Sequence, residues 1–344
     1  MKILHVCSTS AISGANRYAF DLAAGQVALG HDVTVVLPES PGTSLDLKPP
    51  EVAAVTYGGI YALGLITTLA RLKGDILHTH GGKAVKWLRL MPARPPVVSS
   101  LHIRFKANAM AHVDGIHALA DWQMDGTKAF SGPVRKVNNW TPALKASPPG
   151  AAEARRGEAG AGPATPLVVF VGRLDPVKGV DTLIRAFRQV ANPEARLAIV
   201  GDGPERAALE AMAAGDHRIV FMGYSKAPAD WYRAADLLVM PSRNEPFSLV
   251  CLEAMACDTP LLVSDVDGFQ EIFRDRSDNR YPEGDAGILA ARITERLTAK
   301  LSGQVTRDRY DMTRFDRAAG IAAITEFYAE VRAAKLGLRA AATA

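Results

Sequence analysis

The stretch that decides the fold is Pro241-Ser-Arg-Asn-Glu-Pro-Phe-Ser-Leu-Val-Cys-Leu-Glu-Ala-Met-Ala-Cys-Asp-Thr-Pro260. Short apolar runs flank it at Leu237–Met240 and Leu261–Val263, and both are predicted to be buried strands. Between them, Ser248 is a candidate cap for a short helix with an apolar face. A strand, a loop, a helix and a strand in this order predict two parallel strands joined by a crossover.

Two glutamates of this stretch are candidate ligand-binding residues. Glu245 lies in the loop that follows the first strand, where open α/β sheets bind their ligands. The backbone amides at the helix start, Ser248 to Val250, are predicted to favour a phosphate. Glu253 lies further along the helix, where its carboxylate is able to accept two hydrogen bonds from a ribose. Glu253 alone would be interpreted as a solvated helix glutamate, but the combination of both glutamates with Pro246-Phe247 and the small-residue helix favours a nucleotide site.

Seven residues separate the two glutamates, within the pattern P-S-x-x-E-x-F-x-L-x-x-L-E-A-M-A. In this pattern the chain resembles the retaining family-four glycosyltransferases of GT-B fold, also described as glycosyl transferases group 1. The resemblance implies that Glu245 holds the donor sugar and that Glu253 holds the nucleotide ribose. One departure is Asp258, where the family usually has glycine, and aspartate tolerates a left-handed conformation moderately well. The predicted donor site also includes Phe247, Ser248, Leu249 and Val250.

Length and composition are those of a globular protein with two domains. The chain has 344 residues, of which 48% are hydrophobic and 22% are charged. Its three cysteines, Cys7, Cys251 and Cys257, form no C-x-x-C pair, which favours a reducing compartment without disulfides or a zinc knuckle. A net charge of +4 without a dense basic stripe argues against nucleic acid as a partner. The first apolar run is too short for a signal-peptide core and no run approaches the ~20 residues of a spanning helix, so we expect a cytoplasmic protein.

Strand and helix patterns alternate along the chain and predict two Rossmann-like domains. The expected fold class is α/β, with two doubly wound parallel-sheet domains that face a cleft, as in the GT-B fold. A run of alanine, glycine, proline and charged residues without apolar periodicity predicts a flexible linker between them. The predicted boundaries are an N-terminal acceptor domain at 1–142, the linker at 143–166, a C-terminal nucleotide-sugar donor domain at 167–325, and a C-terminal helix and tail at 326–344.

Two cations are predicted at the donor diphosphate. Arg173 and Lys178 lie in Val171-Gly-Arg-Leu-Asp-Pro-Val-Lys-Gly179, which follows a predicted strand and leads into a helix. A diphosphate leaving group needs fixed cations, and arginine offers a bidentate fork where lysine offers a point charge. The segment matches the G-R-x-x-x-x-K-G loop of the resembled family, in which both cations hold the diphosphate. Tyr224 is at the position of that family's base pocket, and its alternative is an ordinary surface tyrosine.

Two further motifs are not expected to bind a cofactor or a metal. Gly201-Asp-Gly-Pro-Glu-Arg206 lacks the third glycine of a dinucleotide fingerprint, so it is assigned a packing role first and a ligand role second. Asp265-Val-Asp267 has the D-x-D form of a metal motif from another glycosyltransferase fold. It precedes Gly268-Phe-Gln-Glu271, which is similar to the G-x-x-E segment of the resembled family, and we therefore predict no metal and no cofactor.

The first domain is predicted to bind the acceptor. Ser13-Gly14 lies in the first strand-helix loop, where the resembled family often has two glycines. His78 and His80 suggest a metal site, but we expect their side chains to point to opposite faces of a strand, with only His80 near the ligand. His102 matches the family's T-x-H type loop beside the donor sugar, or it is a histidine satisfied at the strand edge. The predicted acceptor residues are Ser13, Gly14, His80, Lys83 and Arg104, and the predicted catalytic residues are His102, Glu245, Arg173 and Lys178.

Two segments of the first domain are candidates for contact with a membrane surface. Lys83–Met91 is basic and apolar on a predicted helix, and Ile60–Leu72 is apolar. Together they are able to rest on an anionic membrane, which would place the protein at the inner face of the membrane. The alternative is a core-facing helix with solvated lysines.

These observations predict a retaining, metal-independent glycosyltransferase. It would move a sugar from a nucleotide-diphosphate sugar, UDP- or GDP-linked, to an acceptor hydroxyl of a glycan or a lipid-linked glycan. Surface polysaccharide, lipopolysaccharide or other glycan assembly is the pathway that the resemblance implies. Three alternatives stay open: a nucleotide-sugar epimerase of the same architecture, a dehydrogenase, and a non-catalytic sugar-nucleotide binding protein.

Overall fold

The chain forms two compact α/β units. A computed structural model describes residues 1–11, 13–39, 44–91, 93–144, 146–302 and 307–343. Unit 1 consists of Met1–Pro142 and Phe315–Ala344, and unit 2 consists of Ala143–Arg314. The chain therefore leaves unit 1 once and returns to it for the last helix.

Unit 1 is built on a parallel sheet that has seven strands in the described part of the chain. The strands are β1 (Lys2–Cys7), β2 (Asp32–Pro38), β3 (Ala53–Tyr57), β4 (Ile76–His80), β5 (Val97–Ser100), β6 (Gly115–Ala118) and β7 (Val134–Lys136). Their order is β3-β2-β1-β4-β5-β6-β7, and every pairing is parallel. The order reverses between β1 and β4, so the loops after these two strands diverge and leave room for a ligand.

The helices of unit 1 are α1 (Gly14–Ala28), α2 (Tyr61–Leu72), α3 (Gly82–Leu88), α4 (Ala107–Met110), α5 (Asp121–Met124) and the terminal helix α13 (Arg317–Thr343). Short 3₁₀ turns lie at Ser44–Leu47, Asp125–Thr127 and Thr313–Phe315. Central strands such as β1 and β4 are buried along almost their whole length, as expected for a parallel sheet that helices cover on both faces.

Unit 2 is built on a second parallel sheet, of six strands among the residues that the structure describes. The strands are β8 (Leu167–Val171), β9 (Arg196–Val200), β10 (Ile219–Gly223), β11 (Leu237–Met240), β12 (Leu261–Ser264) and β13 (Arg280–Tyr281). Their order is β10-β9-β8-β11-β12-β13, so the reversal falls between β8 and β11. The doubly wound, two-sheet fold predicted from the sequence is confirmed.

The helices of unit 2 are α6 (Ala151–Glu158), α7 (Val180–Phe187), α8 (Arg206–Ala213), α9 (Pro228–Ala234), α10 (Leu249–Met255), α11 (Asp267–Ile272) and α12 (Ala286–Leu301). Two 3₁₀ turns lie at Pro176–Lys178 and Ser277–Asn279. The helix predicted inside the organising stretch is α10, and Asp258 after it has a φ of 53°, the left-handed conformation expected where relatives have glycine.

The predicted linker at 143–166 contains helix α6, which the sequence analysis missed because the segment lacks apolar periodicity. Arginine contacts hold this polar helix on unit 2. The Arg155 guanidinium lies 5.8 Å from the centre of the Trp231 ring, and Arg156 donates to the Ala234 carbonyl at 2.7 Å. Residues 146–166 therefore pack as part of unit 2 rather than as an irregular connection, and Lys145 lies outside the described residues. The other difference is at the C-terminal boundary, because residues 315–325 belong to unit 1.

Helix α13 completes the core of unit 1. Its buried residues join a cluster with α1 and the central strands. Its close approach depends on glycine, since a Cβ added at Gly25 would lie 2.2 Å from Ile321 and one added at Gly115 would lie 2.4 Å from Val331. Arg317 pairs with Asp21 at 3.0 Å at the start of the helix. The buried core residues of α13 are Ile321, Ile324, Phe327, Tyr328 and Val331.

We expect Gly320→Ala to destabilise unit 1. The added Cβ would lie 2.4 Å from a ring carbon of the buried Trp140, and an enclosed indole has little room to move. Overpacking of this kind costs about 1–3 kcal/mol. The matched control is Gly337→Ala in the same helix, where an added Cβ meets no atom within 4 Å. This substitution should raise the free energy of unfolding by about 0.5–1 kcal/mol. Hydrogen exchange at α1 and α13 measures both effects, and equal protection in the two variants would contradict the packing argument.

Candidate functional site

Two loops of unit 2 meet where the strand order reverses. β8 and β11 are paired neighbours, and the loops that follow them carry Lys178 and Glu245. Open α/β sheets bind ligands at this position, outside the carboxyl ends of the strands. The topology therefore brings together two residues that are 67 positions apart in the sequence.

Lys178 and Glu245 form a close ion pair. The Lys178 Nζ lies 2.6 Å from the Glu245 Oε2, and the side chains are 23% and 8% exposed. Burial acts to lower the pKa of Lys178, but the attraction and hydrogen bond of the Glu245 carboxylate outweigh it, so the pKa is raised. The site therefore keeps a charged lysine beside a carboxylate in a largely dry environment.

Close backbone contacts fix the two loops against each other. Gly179 has a φ of 64°, and a Cβ at this residue would lie 2.1 Å from the Pro241 carbonyl oxygen, so only glycine fits. The Arg243 amide donates to the Val177 carbonyl at 2.8 Å. The Arg243 guanidinium also donates to Asp181 at 2.7 Å, and this carboxylate helps to raise the pKa of Arg243. The sequence analysis missed Arg243, whose position between Ser242 and Asn244 carries no motif signal of its own.

The loop of Glu245 is also supported from its other side. The Gly268 amide donates to the Glu245 carbonyl at 3.0 Å, and a Cβ on Gly268 would lie 2.1 Å from that oxygen. The segment selected as a G-x-x-E match thus packs directly under the predicted sugar-binding loop. Of the D-x-D pair, Asp265 accepts a hydrogen bond from Arg280 at 2.7 Å and Asp267 is exposed at the start of α11.

Helix α10 places the second predicted glutamate in the core. Ser248 caps the helix and accepts a hydrogen bond from the Cys251 amide at 3.2 Å. Glu253 is fully buried and accepts a hydrogen bond from the Tyr232 hydroxyl at 2.7 Å. The ribose role of Glu253 stays a prediction, and the structure shows that its carboxylate also binds Tyr232 within unit 2. Of the remaining helix-start residues, Phe247 and Leu249 are buried and Val250 is partly exposed.

Two predicted donor residues lie at the surface. The Arg173 side chain is 60% exposed, and its Nε lies 3.5 Å from an Asp175 carboxylate oxygen. Glu245 therefore pairs with Lys178 and not with Arg173. Tyr224 is 53% exposed after β10. The structure supports the packing role of the G-x-G-P turn, since a Cβ on Gly201 would lie 1.8 Å from the Gly172 carbonyl oxygen.

The predicted acceptor residues of unit 1 lie at or after the carboxyl ends of β1, β4 and β5. Ser13 caps α1 by accepting from the Asn16 amide at 3.2 Å, in an extended conformation that needs no glycine. Gly14 begins the same helix, and Lys83 is exposed on α3 after β4. Arg104 is exposed and lies over the Trp122 ring at 5.0 Å.

The expectation that His78 and His80 point to opposite faces is wrong. Residues two apart in a strand share a face, and the two rings are stacked with centres 4.5 Å apart. His5 from β1 faces both of them, and its Nδ1 lies 2.9 Å from the His80 Nε2. The His80 Nδ1 in turn lies 3.1 Å from the His102 Nε2. Because His80 is buried and both its ring nitrogens are engaged, it cannot contact an acceptor directly.

Five histidines of unit 1 form one group, in which His102 is partly exposed and the other four are buried. His5, His78 and His80 present ligand atoms within 4.8 Å of one another, which is close enough to hold a metal ion. His117 joins the group through the Ser100 hydroxyl, 2.8 Å from its Nδ1. The sequence analysis selected only three members of the group, although the i, i+2 spacing of His78 and His80 is a signal for a shared face.

The histidines of this group are neutral at physiological pH. Burial lowers the pKa of His5 and of His117 to about 4, and burial together with nearby His117 lowers the pKa of His102 to about 3. The pKa values of His78 and His80 are also lowered, first by burial and then by the neighbouring histidines.

Comparison with known proteins agrees with the fold. The model of glycosyltransferase family 4 matches residues 12–136, and that of glycosyl transferases group 1 matches residues 165–299. A D-inositol 3-phosphate glycosyltransferase from Streptomyces bingchenggensis is 27% identical over 95% of this chain and 87% of its own length. One from Segniliparus rotundus is 37% identical, but the match spans 44% of this chain and 38% of that relative.

A solved structure shares the fold. Anabaena HepE, crystallised with UDP and glucose, is 19% identical with a TM-score of 0.75, covering 100% of this chain and 99% of its own. The two family models cover most of both units, and the chain belongs to the family-four glycosyltransferases of GT-B fold.

Within the described residues, no helix combines the length and the hydropathy needed to cross a membrane.

We expect the stability of unit 1 to fall as the pH is lowered from about 6.5 towards 4. Unfolded histidines titrate near 6.5, whereas the buried ones stay neutral to about 4, so the unfolded state binds more protons in this window. The free energy of unfolding is therefore highest above about pH 6.5. Below that pH, each buried histidine lowers it by up to about 1.4 kcal/mol per pH unit. Urea unfolding at several pH values measures this slope.

Two variants test the assignment of this slope to the buried histidines. His117→Gln should reduce the slope by about one histidine, whereas the exposed His112→Gln should leave it unchanged. A slope that is the same in both variants would show that the buried group is not its source.

Proposed function

We propose that the protein is a retaining glycosyltransferase that moves a sugar from a nucleotide-diphosphate sugar to an acceptor hydroxyl. The observation that carries this proposal is the Lys178–Glu245 pair at the strand reversal of unit 2. The lysine supplies a cation for a diphosphate and the carboxylate accepts hydrogen bonds from sugar hydroxyls. Both functions are needed side by side only if the ligand is both phosphorylated and sugar-like.

The donor is proposed to be a UDP-sugar, with a GDP-sugar as the alternative. The HepE structure contains UDP and glucose, which supports a uridine nucleotide for a protein of this fold. Arg173 and Lys178 would neutralise the diphosphate without a metal, because two fixed cations match its charge. In this proposal Glu245 holds the sugar, Glu253 the ribose, Tyr224 the base, and Phe247, Ser248, Leu249 and Val250 line the phosphate end.

The proposed transfer breaks the bond between the sugar C1 and the phosphate oxygen and forms a bond from C1 to the acceptor oxygen. The acceptor proton passes to the departing phosphate, so atoms and charge balance without a further base. Retention by attack from the face of the leaving group suits a site in which Glu245 is paired with Lys178 rather than poised as a nucleophile. The anomeric configuration of the product, determined by NMR, tests retention, and an inverted product would exclude it.

The acceptor is proposed to bind unit 1. Ser13, Gly14, Lys83 and Arg104 surround the carboxyl end of its sheet, and His102 follows β5 at the same edge. The family resemblance supports a glycan or lipid-linked acceptor in surface polysaccharide, lipopolysaccharide or other glycan assembly, in the cytoplasm or at the inner face of the membrane.

A thermal-shift panel with UDP, GDP, ADP, CMP and NAD tests the donor site. A ligand at ~100 times its dissociation constant adds ~2.7 kcal/mol, which raises the unfolding midpoint by a few degrees. We expect UDP or GDP to stabilise the wild type and to stabilise Glu253→Gln much less. Glutamine is the sharper substitution than alanine here, since it retains an acceptor for the Tyr232 hydroxyl. The control is Glu295→Gln, whose side chain is 66% exposed on α12.

The alternatives give different results in the same panel. Stabilisation by NAD alone would favour a dehydrogenase or an epimerase and would overturn the donor assignment. A shift with UDP but no release of UDP from any UDP-sugar would favour a non-catalytic binding protein.

Peripheral membrane contact is a second proposal, and the surface of unit 1 supports it. Ile60 and Leu63 on the α2 side are exposed, as are the basic Lys83 and Lys86 on α3. Apolar side chains beside cations suit an anionic lipid surface. We expect sedimentation with anionic liposomes at low salt, weakened by Lys83→Glu with Lys86→Glu. Failure to sediment, or equal sedimentation of the double variant, would contradict this proposal.

A further inference from the structure

The histidine group of unit 1 continues into a chain of hydrogen bonds whose direction is fixed at one end. The Val137 carbonyl oxygen can only accept, so the His117 Nε2, 2.8 Å away, carries a proton. A neutral His117 then has a bare Nδ1, and the Ser100 hydroxyl at 2.8 Å must donate to it. Having used its proton, Ser100 accepts from the His78 Nε2 at 2.7 Å.

The same logic orients the amide of Gln26. A neutral His78 that is protonated at Nε2 has a bare Nδ1, to which the Tyr328 hydroxyl donates at 2.6 Å. The Tyr328 oxygen then accepts from the Gln26 amide nitrogen at 3.1 Å. The amide oxygen of Gln26 therefore faces the His5 Nε2, at 2.8 Å.

From Gln26 the chain runs through three rings to the edge of the sheet. The His5 Nε2 donates to Gln26, which leaves the His5 Nδ1 to accept from the His80 Nε2 at 2.9 Å. The His80 Nδ1 is then bare and accepts from the His102 Nε2 at 3.1 Å. A neutral His102 consequently carries its lone pair on Nδ1.

The opposite direction does not close. If the Gln26 amide were turned, Tyr328 would have to donate to its oxygen, and the His78 Nδ1 would need a proton of its own. Ser100 would then donate to His78 and accept from His117, whose bare Nε2 would face the Val137 carbonyl oxygen. Two lone pairs would meet beside the buried His117 ring, which is the arrangement that buried polar groups avoid.

We infer that Gln26, His5 and His80 are positioning residues that hold His102 in the tautomer with a bare Nδ1, as a hydrogen-bond acceptor for a substrate hydroxyl. The inference rests on the proposed transfer of a sugar from a nucleotide diphosphate to an acceptor hydroxyl. Gln26, His5 and His80 are buried, whereas His102 is partly exposed after β5, so the series of hydrogen bonds passes through the core and ends at the carboxyl edge of the sheet.

The chemistry of this end is orientation rather than proton removal. A nitrogen whose pKa burial lowers to about 3 is a weak base, so it accepts a hydrogen bond without taking the proton. This agrees with a transfer in which the departing phosphate receives the acceptor proton. The chain also explains the three-histidine cluster without a metal, because the nitrogens of His5, His78 and His80 all have partners.

The tautomer is measured first on the wild type, by long-range proton–nitrogen NMR of protein with ¹⁵N-labelled histidine. We expect His102 to show a protonated Nε2 and a bare Nδ1 as a single form at neutral pH, with His102→Gln used for assignment. A protonated Nδ1, rapid exchange between tautomers, or a stoichiometric transition metal in the purified protein would overturn the inference. This measurement needs no turnover, so it stands or falls separately from the proposed activity.

Two substitutions at His80 then test whether the tautomer matters to catalysis. His80→Leu removes the partner of the His102 Nε2, so we expect mixed tautomers and a fall in kcat of about 10- to 100-fold with little change in KM. The assay follows UDP release from the nucleotide sugar that the wild type turns over, beginning with UDP-glucose.

His80→Gln should restore both the single tautomer and most of kcat. Its amide oxygen is able to accept from His102 while its amide nitrogen donates to His5, which keeps the direction of the chain. His112→Gln, an exposed histidine of the same unit, is the control. Full activity in His80→Leu, or loss in His80→Gln equal to that in His80→Leu, would overturn the positioning role.

Discussion

The parallel pairing of β8 with β11 is the constraint on which the proposed donor site depends. It places two loops side by side, although helices α7, α8 and α9 and strands β9 and β10 lie between β8 and β11 in the sequence. Gly179 then fits against the Pro241 carbonyl only because it lacks a side chain. The ion pair of Lys178 and Glu245 is the result of that fit, since the lysine lies in one loop and the glutamate in the other. The proposed binding of a ligand with a phosphate and a sugar rests on these neighbouring charges.

Unit 1 uses the same topology for a different kind of chemistry. Its reversal lies between β1 and β4, and the side chains gathered beneath it are neutral imidazoles rather than a charged pair. A buried charge would need a partner, whereas neutral histidines satisfy one another by alternating donor and acceptor nitrogens. The consequence is a polar core in which each hydrogen bond has a defined donor and acceptor. The Val137 carbonyl oxygen sets this order, because it can only accept from the His117 Nε2.

The sequence predicted features carried by short local patterns and missed features made by distant residues. The two-sheet fold, the cap at Ser248 and the left-handed Asp258 follow from spacing and from residue type within a few positions. The histidine chain escaped notice since its members come from several strands and two helices, and because the period of a strand was misapplied to His78 and His80. Helix α6 was missed for a similar reason, as its stability comes from arginine contacts with a later helix rather than from an apolar face of its own.

The return of the chain to unit 1 after residue 314 has a consequence for biosynthesis. Ile321, Phe327 and Tyr328 close the core of unit 1, and the ribosome makes them only after the whole of unit 2. Until α13 is made, the apolar face that it covers on the sheet of unit 1 is exposed. Gln26 also lacks the Tyr328 hydroxyl, which accepts from its amide nitrogen in the folded protein. Unit 2 has all its strands before then and is able to fold first, although it comes second in the sequence. Unit 1 therefore completes its core only after helix α13 has been synthesised.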